Sequence, residues 1–298
     1  MPDAHQINDY LLDIQFDAFE RLGAFLNNTP DAISADLVRQ MQDEIGCDAK
    51  YSYTLLLAAY CGLDISANAM HKDMFHLIFE PALHLLDAHK YQKNNYYRHI
   101  RFDDVRCRQW QLCKKEYKAF EAFVCNDINV SPQGLQIPSV GVFAQPFTYP
   151  AVLEDGRIWM TVTPNEIETM EEPVANAAGK VLAYGLGLGY FPYMVSLKNN
   201  VHNVTVVEKD PAIIDIFKKH LLPQFPEKDK ITLVNDDAFH YAATAMPTEN
   251  FDSVFTDLWH DVSDGMPLYL KMKTFEKLSP NAKFDYWIEK SIKFYLPE

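Results

Sequence analysis

The sequence predicts an α/β fold: a doubly wound, mostly parallel sheet, preceded by an α-helical N-terminal domain and a short β segment. Three observations predict it. From Gly179 onward, short apolar runs alternate with helical stretches, the pattern of parallel strands joined by crossover helices. Gly185, Gly187 and Gly189 follow the first of those runs, in KVLAYGLGLGY. An acid then closes each of the next three runs: Glu208, the pair Asp236-Asp237, and Asp257. Ligands of such sheets sit at the carboxyl ends of the strands, so the sheet and its candidate site are predicted together.

The chain of 298 residues is expected to divide at 1–127, 128–163 and 164–298. The first region reads as helical. Leu12, Phe16, Phe19, Leu22 and Leu26 fall three and four apart and form one apolar stripe. Thr29-Pro30 supplies an N-cap and a first-turn proline, and Gly46 a stop. Further helical runs cover about 50–64, 67–90 and 103–124. From about 128 the texture changes: Pro132, Pro138, Pro146 and Pro150 exclude regular helix. Asp155-Gly156 marks a hairpin turn between strand-like flanks, and NEIETMEEPVANAA reads as helix.

In the third region KVLAYG, VTVVEKD, ITLVN and FDSVFTDLW read as strands, with FDYWIE as a fifth. Helices fall between them. Asp210 and Pro211 open the helix PAIIDIFKKHLL as cap and first residue. A carboxylate at the end of the second strand, 19 residues after Gly189, can accept hydrogens from both hydroxyls of a ribose. An acid at the end of the third can accept from an adenine amine. Dinucleotide sites show GxGxxG, whereas Tyr190 stands here in the place of the last glycine. The pattern therefore favours S-adenosylmethionine over a dinucleotide.

In that order, GKVLAYGLGLGY, VTVVEKD, VNDDAFHY and FDSVFTDLWHD resemble the core motifs of class I S-adenosylmethionine-dependent methyltransferases. With LEDGRIWMTVTPNEIETM before them they resemble the spermidine synthase-like branch, over about residues 150–290. The resemblance implies a Rossmann-like sheet and assigns roles. Gly185, Leu186, Gly187 and Gly189 would underlie the methionine part of the cofactor. Glu208 would hold the ribose, Lys209 the adenine face, and Asp237, with Asp236 as rival and Ala238 beside it, the adenine edge. Asp257 would face the sulfonium or the nucleophile. Relatives carry a carboxylate for the ammonium at the place of Ala183 or of Leu188, so Glu166, Asp257 or backbone carbonyls could substitute. Asp257, His260 and Asp261 are the catalytic candidates. Asp257 and Asp261 stand one residue further apart than the matching acids of polyamine synthases. The leading expectation is thus a methyltransferase using S-adenosylmethionine on a small molecule, at an amine or another nucleophile. The alternatives are an aminopropyltransferase using decarboxylated S-adenosylmethionine, and a non-catalytic ligand-binding or assembly protein.

Composition bounds the rest. A net charge of −14 argues against broad nucleic-acid binding. The exception is 90–118, with nine Lys or Arg against three acids and interleaved aromatics. This stretch suits a helix face, a nucleic-acid patch, or an oligomer interface such as that of a homodimer. Five cysteines without a CxxC pair suit a reduced, cytoplasmic chain, and the acidic start lacks a signal core. No apolar run is long enough to span a membrane. His76, Glu80, His84 and Asp87 fall at helical spacing like a metal site, but Pro81 interrupts them, and no metal is expected.

Overall fold

A computed structural model of the protein describes residues 4–131 and 136–296, with side chains from Phe16 onward. Residues 132–135 of the expected linker, Pro132 included, lie outside the described residues, as do residues 1–3 of the acidic start. The described chain forms two compact units. The residues up to Ala88 with Glu116–Thr148 make one; His89–Lys115 with the residues from Tyr149 onward make the other.

The first unit contains the helices Ala4–Asn28, Ala35–Ile45 and Ala49–Tyr60 around a core that includes Leu22, Phe25, Tyr53, Leu57 and Phe75. Its first helix buries Ala18, Leu22 and Phe25, with Phe19 and Leu26 packed beside them. Phe16, expected in the stripe, is 67% exposed. Thr29 does not cap the second helix. Ser34 does, its hydroxyl accepting from the Leu37 N–H. Gly46 ends that helix at φ +67, a left-handed stop that costs glycine nothing.

Two expected helices fail. The run at 67–90 is helical from Ala69 to Ala82, through a π turn at Phe75–Phe79, then breaks into the strand Leu83–Leu86 before a short helix at Ala88–Gln92. That strand pairs parallel with Val140–Phe143. His76 bonds to Glu80 at 2.5 Å, while His84 has passed into the strand, so the four residues share no helix face. The run at 103–124 holds strands: Val105–Cys107 and Trp110–Tyr117 pair antiparallel, with Cys107 opposite Trp110. Arg108 turns there at φ +54. Charges three and four apart imitate a helix, but Trp110 and Leu112, two apart on one strand face, are buried while Gln111 between them is only half-buried, a period of two.

The second unit carries a five-stranded, all-parallel sheet. Its order is Ile231–Asn235, Val201–Glu208, Gly179–Tyr184, Ser253–Thr256, Lys283–Tyr286. The first strand in sequence is therefore central, and the order reverses beside it. That is where a doubly wound sheet opens a crevice. Asp210, Asp237 and Asp261 cap the helices that follow the second, third and fourth strands. A four-stranded sheet, in the order Val105–Cys107, Trp110–Tyr117, Phe147–Glu154, Arg157–Thr161, includes the expected hairpin. Asp155 and Gly156 both take positive φ, +48 and +81, as a tight two-residue turn requires. No described helix is long and apolar enough to cross a membrane.

Candidate functional site

Backbone hydrogen bonds align the strand ends. Gly185 N–H donates to Val207 O at 3.0 Å, Asp257 N–H to Tyr184 O at 2.9 Å, and Asp236 N–H to Glu208 O at 3.2 Å. Consecutive strand ends thus present Gly185, Glu208, Asp236 and Asp257 side by side. The glycines make room for the protein itself. A Cβ on Gly185 would lie 2.0 Å from the Asp257 carbonyl oxygen, one on Gly187 1.8 Å from Met160 Sδ, and one on Gly189 2.3 Å from the Phe217 ring. All three have positive φ. Gly189 thus makes room for Phe217, at the end of the helix that follows the second strand.

A cavity of about 350 Å3 opens over these strand ends. Gly185, Leu186 and Gly187 line it from the turn; Glu208 and Lys209 from the second strand; Asp236, Asp237 and Ala238 from the third. Asp257, Trp259 and His260 close the fourth side, and Trp159 and Met160 come from the hairpin. Gly189 and Asp261 do not line it. Asp261 is spent as the cap of Val262–Lys273, accepting from the Ser263 N–H at 2.7 Å. Asp237 also caps, its Oδ1 accepting from the Phe239 and His240 N–H groups. Asp236 is held by His240 Nδ1 at 2.8 Å.

Glu208 is fixed by two backbone donors. Its Oε1 accepts from Asp210 N–H at 2.8 Å and its Oε2 from Leu186 N–H at 3.2 Å. Burial raises its carboxyl above the ordinary range, and those N–H groups pull the other way. Each oxygen keeps a further lone pair, so the carboxylate can still accept two hydroxyl hydrogens.

Beneath the turn a chamber with space for one water-sized group, about 20 Å3, is lined by Glu166, Met170, Leu188, Tyr190 and Asp257 among others. It has two acids and no Lys, Arg or His in its wall. The helix Pro164–Thr169 brings Glu166 in, with proline at its first position. Neither carboxylate takes part in a described ion pair or side-chain hydrogen bond. Burial pushes Asp257 up to about 7. Burial, and then the charge of Asp257, pushes Glu166 well above the carboxylate range. Two enclosed acids that resist ionising together can take up a compact cation.

Sequence reasoning missed the support around the turn. The short helix Asn95–His99 buries Tyr96, whose hydroxyl donates to the Leu188 carbonyl at 2.5 Å. Asn94 Nδ2 donates to the Tyr190 hydroxyl at 3.0 Å. Only the density of tyrosines in NNYYRH hints at it. Asp264 was also missed, because an acid in a first helical turn is common.

Residues 174–284 match the spermine/spermidine synthase domain, which agrees with the spermidine synthase-like motifs of the sequence. A polyamine aminopropyltransferase of Sulfurisphaera tokodaii is 31% identical over 133 residues, covering 42% of this chain and 44% of that protein. The chain thus aligns with less than half the length of this curated relative. A spermidine synthase from Thermotoga maritima has 18% identity, covers 50% of this chain and 53% of its own, and superimposes with a TM-score of 0.34. A spermidine synthase in complex with the transition state analogue AdoDATO gives 19%, 47%, 48% and 0.33. The domain match and the curated relative overturn the leading expectation from sequence, a methyltransferase using S-adenosylmethionine: both point to the aminopropyltransferase alternative.

Proposed function

We propose that this protein is an aminopropyltransferase that moves the aminopropyl group of decarboxylated S-adenosylmethionine to a small amine. The observation that carries the reading is the acidic chamber under the glycine turn. An aminopropyl tail ends in an ammonium, which Glu166 and Asp257 can pair and which fits a space for one water-sized group. The tail of S-adenosylmethionine adds a carboxylate. That group would enter a wall with two acids and no cation, a like-charge contact in a poorly solvated place. The donor set fits the nucleoside as well: Glu208 for the ribose, Asp236 or Asp237 for the adenine edge, and a cavity within the usual size range for small ligands.

When bound, the donor supplies a carbon already activated by its sulfonium. The residues then have to bind, orient and exclude water. Glu208 fixes the ribose and thereby the sulfonium relative to Asp257. Leu186 and Leu188 keep the turn apolar. Asp257, at the mouth of the chamber, stabilises positive charge on the tail and on the approaching amine.

Calorimetry tests the reading. Decarboxylated S-adenosylmethionine should bind at least about 10-fold more tightly than S-adenosylmethionine, an advantage of about 1.4 kcal/mol. Equal or tighter binding of S-adenosylmethionine would sink the reading. Glu208→Ala removes two charge-assisted hydrogen bonds, each worth about 1.5–3 kcal/mol. Its affinity for methylthioadenosine should fall about 100-fold or more, with the circular dichroism spectrum unchanged. A loss below threefold would remove Glu208 from the ribose.

A further inference from the structure

We propose that His260, held by Asp264, takes the proton that the acceptor amine must lose before it can attack; this rests on the aminopropyl-transfer reading. His260 lines the 350 Å3 cavity together with Asp257. Its Nδ1 lies 3.1 Å from Asp264 Oδ2. The same carboxylate accepts the His260 backbone N–H, at 3.1 and 3.2 Å, and the Asp261 N–H at 3.0 Å. Asp264 occupies the third position of the helix Val262–Lys273, in a capping box with Asp261, so its carboxylate cannot swing away without uncapping that helix. Trp159 meets the imidazole edge-on, centroids 4.7 Å apart at 85°. The ring is therefore constrained from the helix side and from the hairpin side.

A carboxylate on Nδ1 fixes the tautomer. Nδ1 carries the hydrogen and Nε2 keeps the lone pair. Partial burial pulls the Asp264 carboxyl up, but its bonds to Asp261 and His260 outweigh that and hold it below the usual range, so it stays anionic where the imidazole must gain charge. The other titratable groups lining the cavity are Glu208, Lys209, Asp236, Asp237 and Asp257. Glu208 and Asp237 are committed to backbone N–H groups, and Asp236 to His240. Asp257 faces the enclosed chamber, where its charge is needed on the cation. His260 has a route to water, its side chain 53% exposed, so a proton it accepts can leave.

The step balances. Nε2 takes one proton from the ammonium of the acceptor, freeing the nitrogen lone pair. That pair forms the new C–N bond, and the pair of the breaking C–S bond stays on sulfur, which becomes a neutral thioether. The new secondary amine carries the positive charge, and the imidazolium proton passes to solvent.

His260→Gln leaves the helix cap in place and tests the idea directly. With decarboxylated S-adenosylmethionine and 1,4-diaminobutane at pH 7, kcat should fall on the order of 100-fold. It should recover toward the unaltered protein near pH 10, where solvent supplies neutral amine, and methylthioadenosine affinity should stay within twofold. Asp264→Asn should fall in the same direction, because its amide turns Nδ1 into an acceptor. Nitrogen-15 NMR of His260 reads this without turnover: Nδ1–H in the unaltered protein, Nε2–H in Asp264→Asn. A His260→Gln kcat within twofold at pH 7, or an Nε2–H tautomer in the unaltered protein, overturns the dyad alone. Absence of turnover in the unaltered protein overturns the transfer reading and the dyad with it.

Discussion

Replacing Gly185 by alanine should cost about 2–5 kcal/mol of stability and abolish nucleoside binding. Two penalties combine. At φ +94 any side chain is strained, by about 1–2 kcal/mol. The new Cβ would also sit 2.0 Å from the Asp257 carbonyl oxygen, a backbone atom that cannot rotate aside, and overpacking of this kind costs about 1–3 kcal/mol or more. Relief requires the first and fourth strands to part at their carboxyl ends, which carries Asp257 out of position. Gly156→Ala is the control. It has φ +81 but nothing within 4 Å of its Cβ, so it should cost only the strain, about 1–2 kcal/mol. Thermal melts of the two variants side by side check this. Equal stabilities would mean that the turn and the fourth strand are not in contact.

That contact also explains what was legible in the sequence. A strand end and its turn are local, and local rules suffice for them: alternating apolar runs, Asp210 before Pro211, Asp155-Gly156 in the hairpin. They place Glu208, Asp236 and Asp257 at neighbouring strand ends because a parallel sheet aligns what the chain spaces apart. Local rules fail at 103–124, where the residues that decide between helix and strand are the partners that cover Trp110 and Leu112. They fail again at Thr29-Pro30, where proline allows a helix start but Ser34 supplies the hydroxyl.

The functional misreading had the same origin. Ala183 and Leu188 leave the turn without a carboxylate, and Asp257 and Asp261 stand too far apart for the expected pair of acids. On the sequence alone, the missing aspartate at Leu188 and the wider spacing of Asp257 and Asp261 argue against aminopropyl transfer, whereas the missing acid at Ala183 does not. In three dimensions the second acid comes from Glu166, on a helix that precedes the sheet, while Asp261 is a helix cap. Spacing along the chain does not reveal which carboxylates share a cavity. What the sequence did offer was Glu166 among the possible substitutes.

The enclosed pair should make the ligand-free protein less stable as pH rises, and Asp257→Asn should remove much of that loss while abolishing turnover. The folded-state pKa of Asp257 is raised from 3.8 to about 7, and Glu166 is raised as well. A raised carboxyl binds its proton more tightly in the folded than in the unfolded chain. Its stabilising contribution is complete below about pH 4 and is lost as pH climbs through 7. For a shift of this size the loss is on the order of 4 kcal/mol. Glu208 and Asp285 shift in the same direction and Asp31 and Asp64 in the opposite one. The difference in slope between the two proteins, rather than either slope, therefore isolates the pair. Between pH 5 and pH 8 the unaltered protein should lose more melting temperature than Asp257→Asn, and at pH 8 the variant should be the more stable. On the aminopropyl-transfer reading its turnover should nonetheless fall about 100-fold or more, because an uncharged amide cannot pair a tail ammonium. Decarboxylated S-adenosylmethionine should restore the unaltered protein at pH 8 and leave the variant unmoved. Parallel pH slopes in the two proteins would show that Glu166 and Asp257 do not share a charge, and the acidic chamber would lose its place in the mechanism.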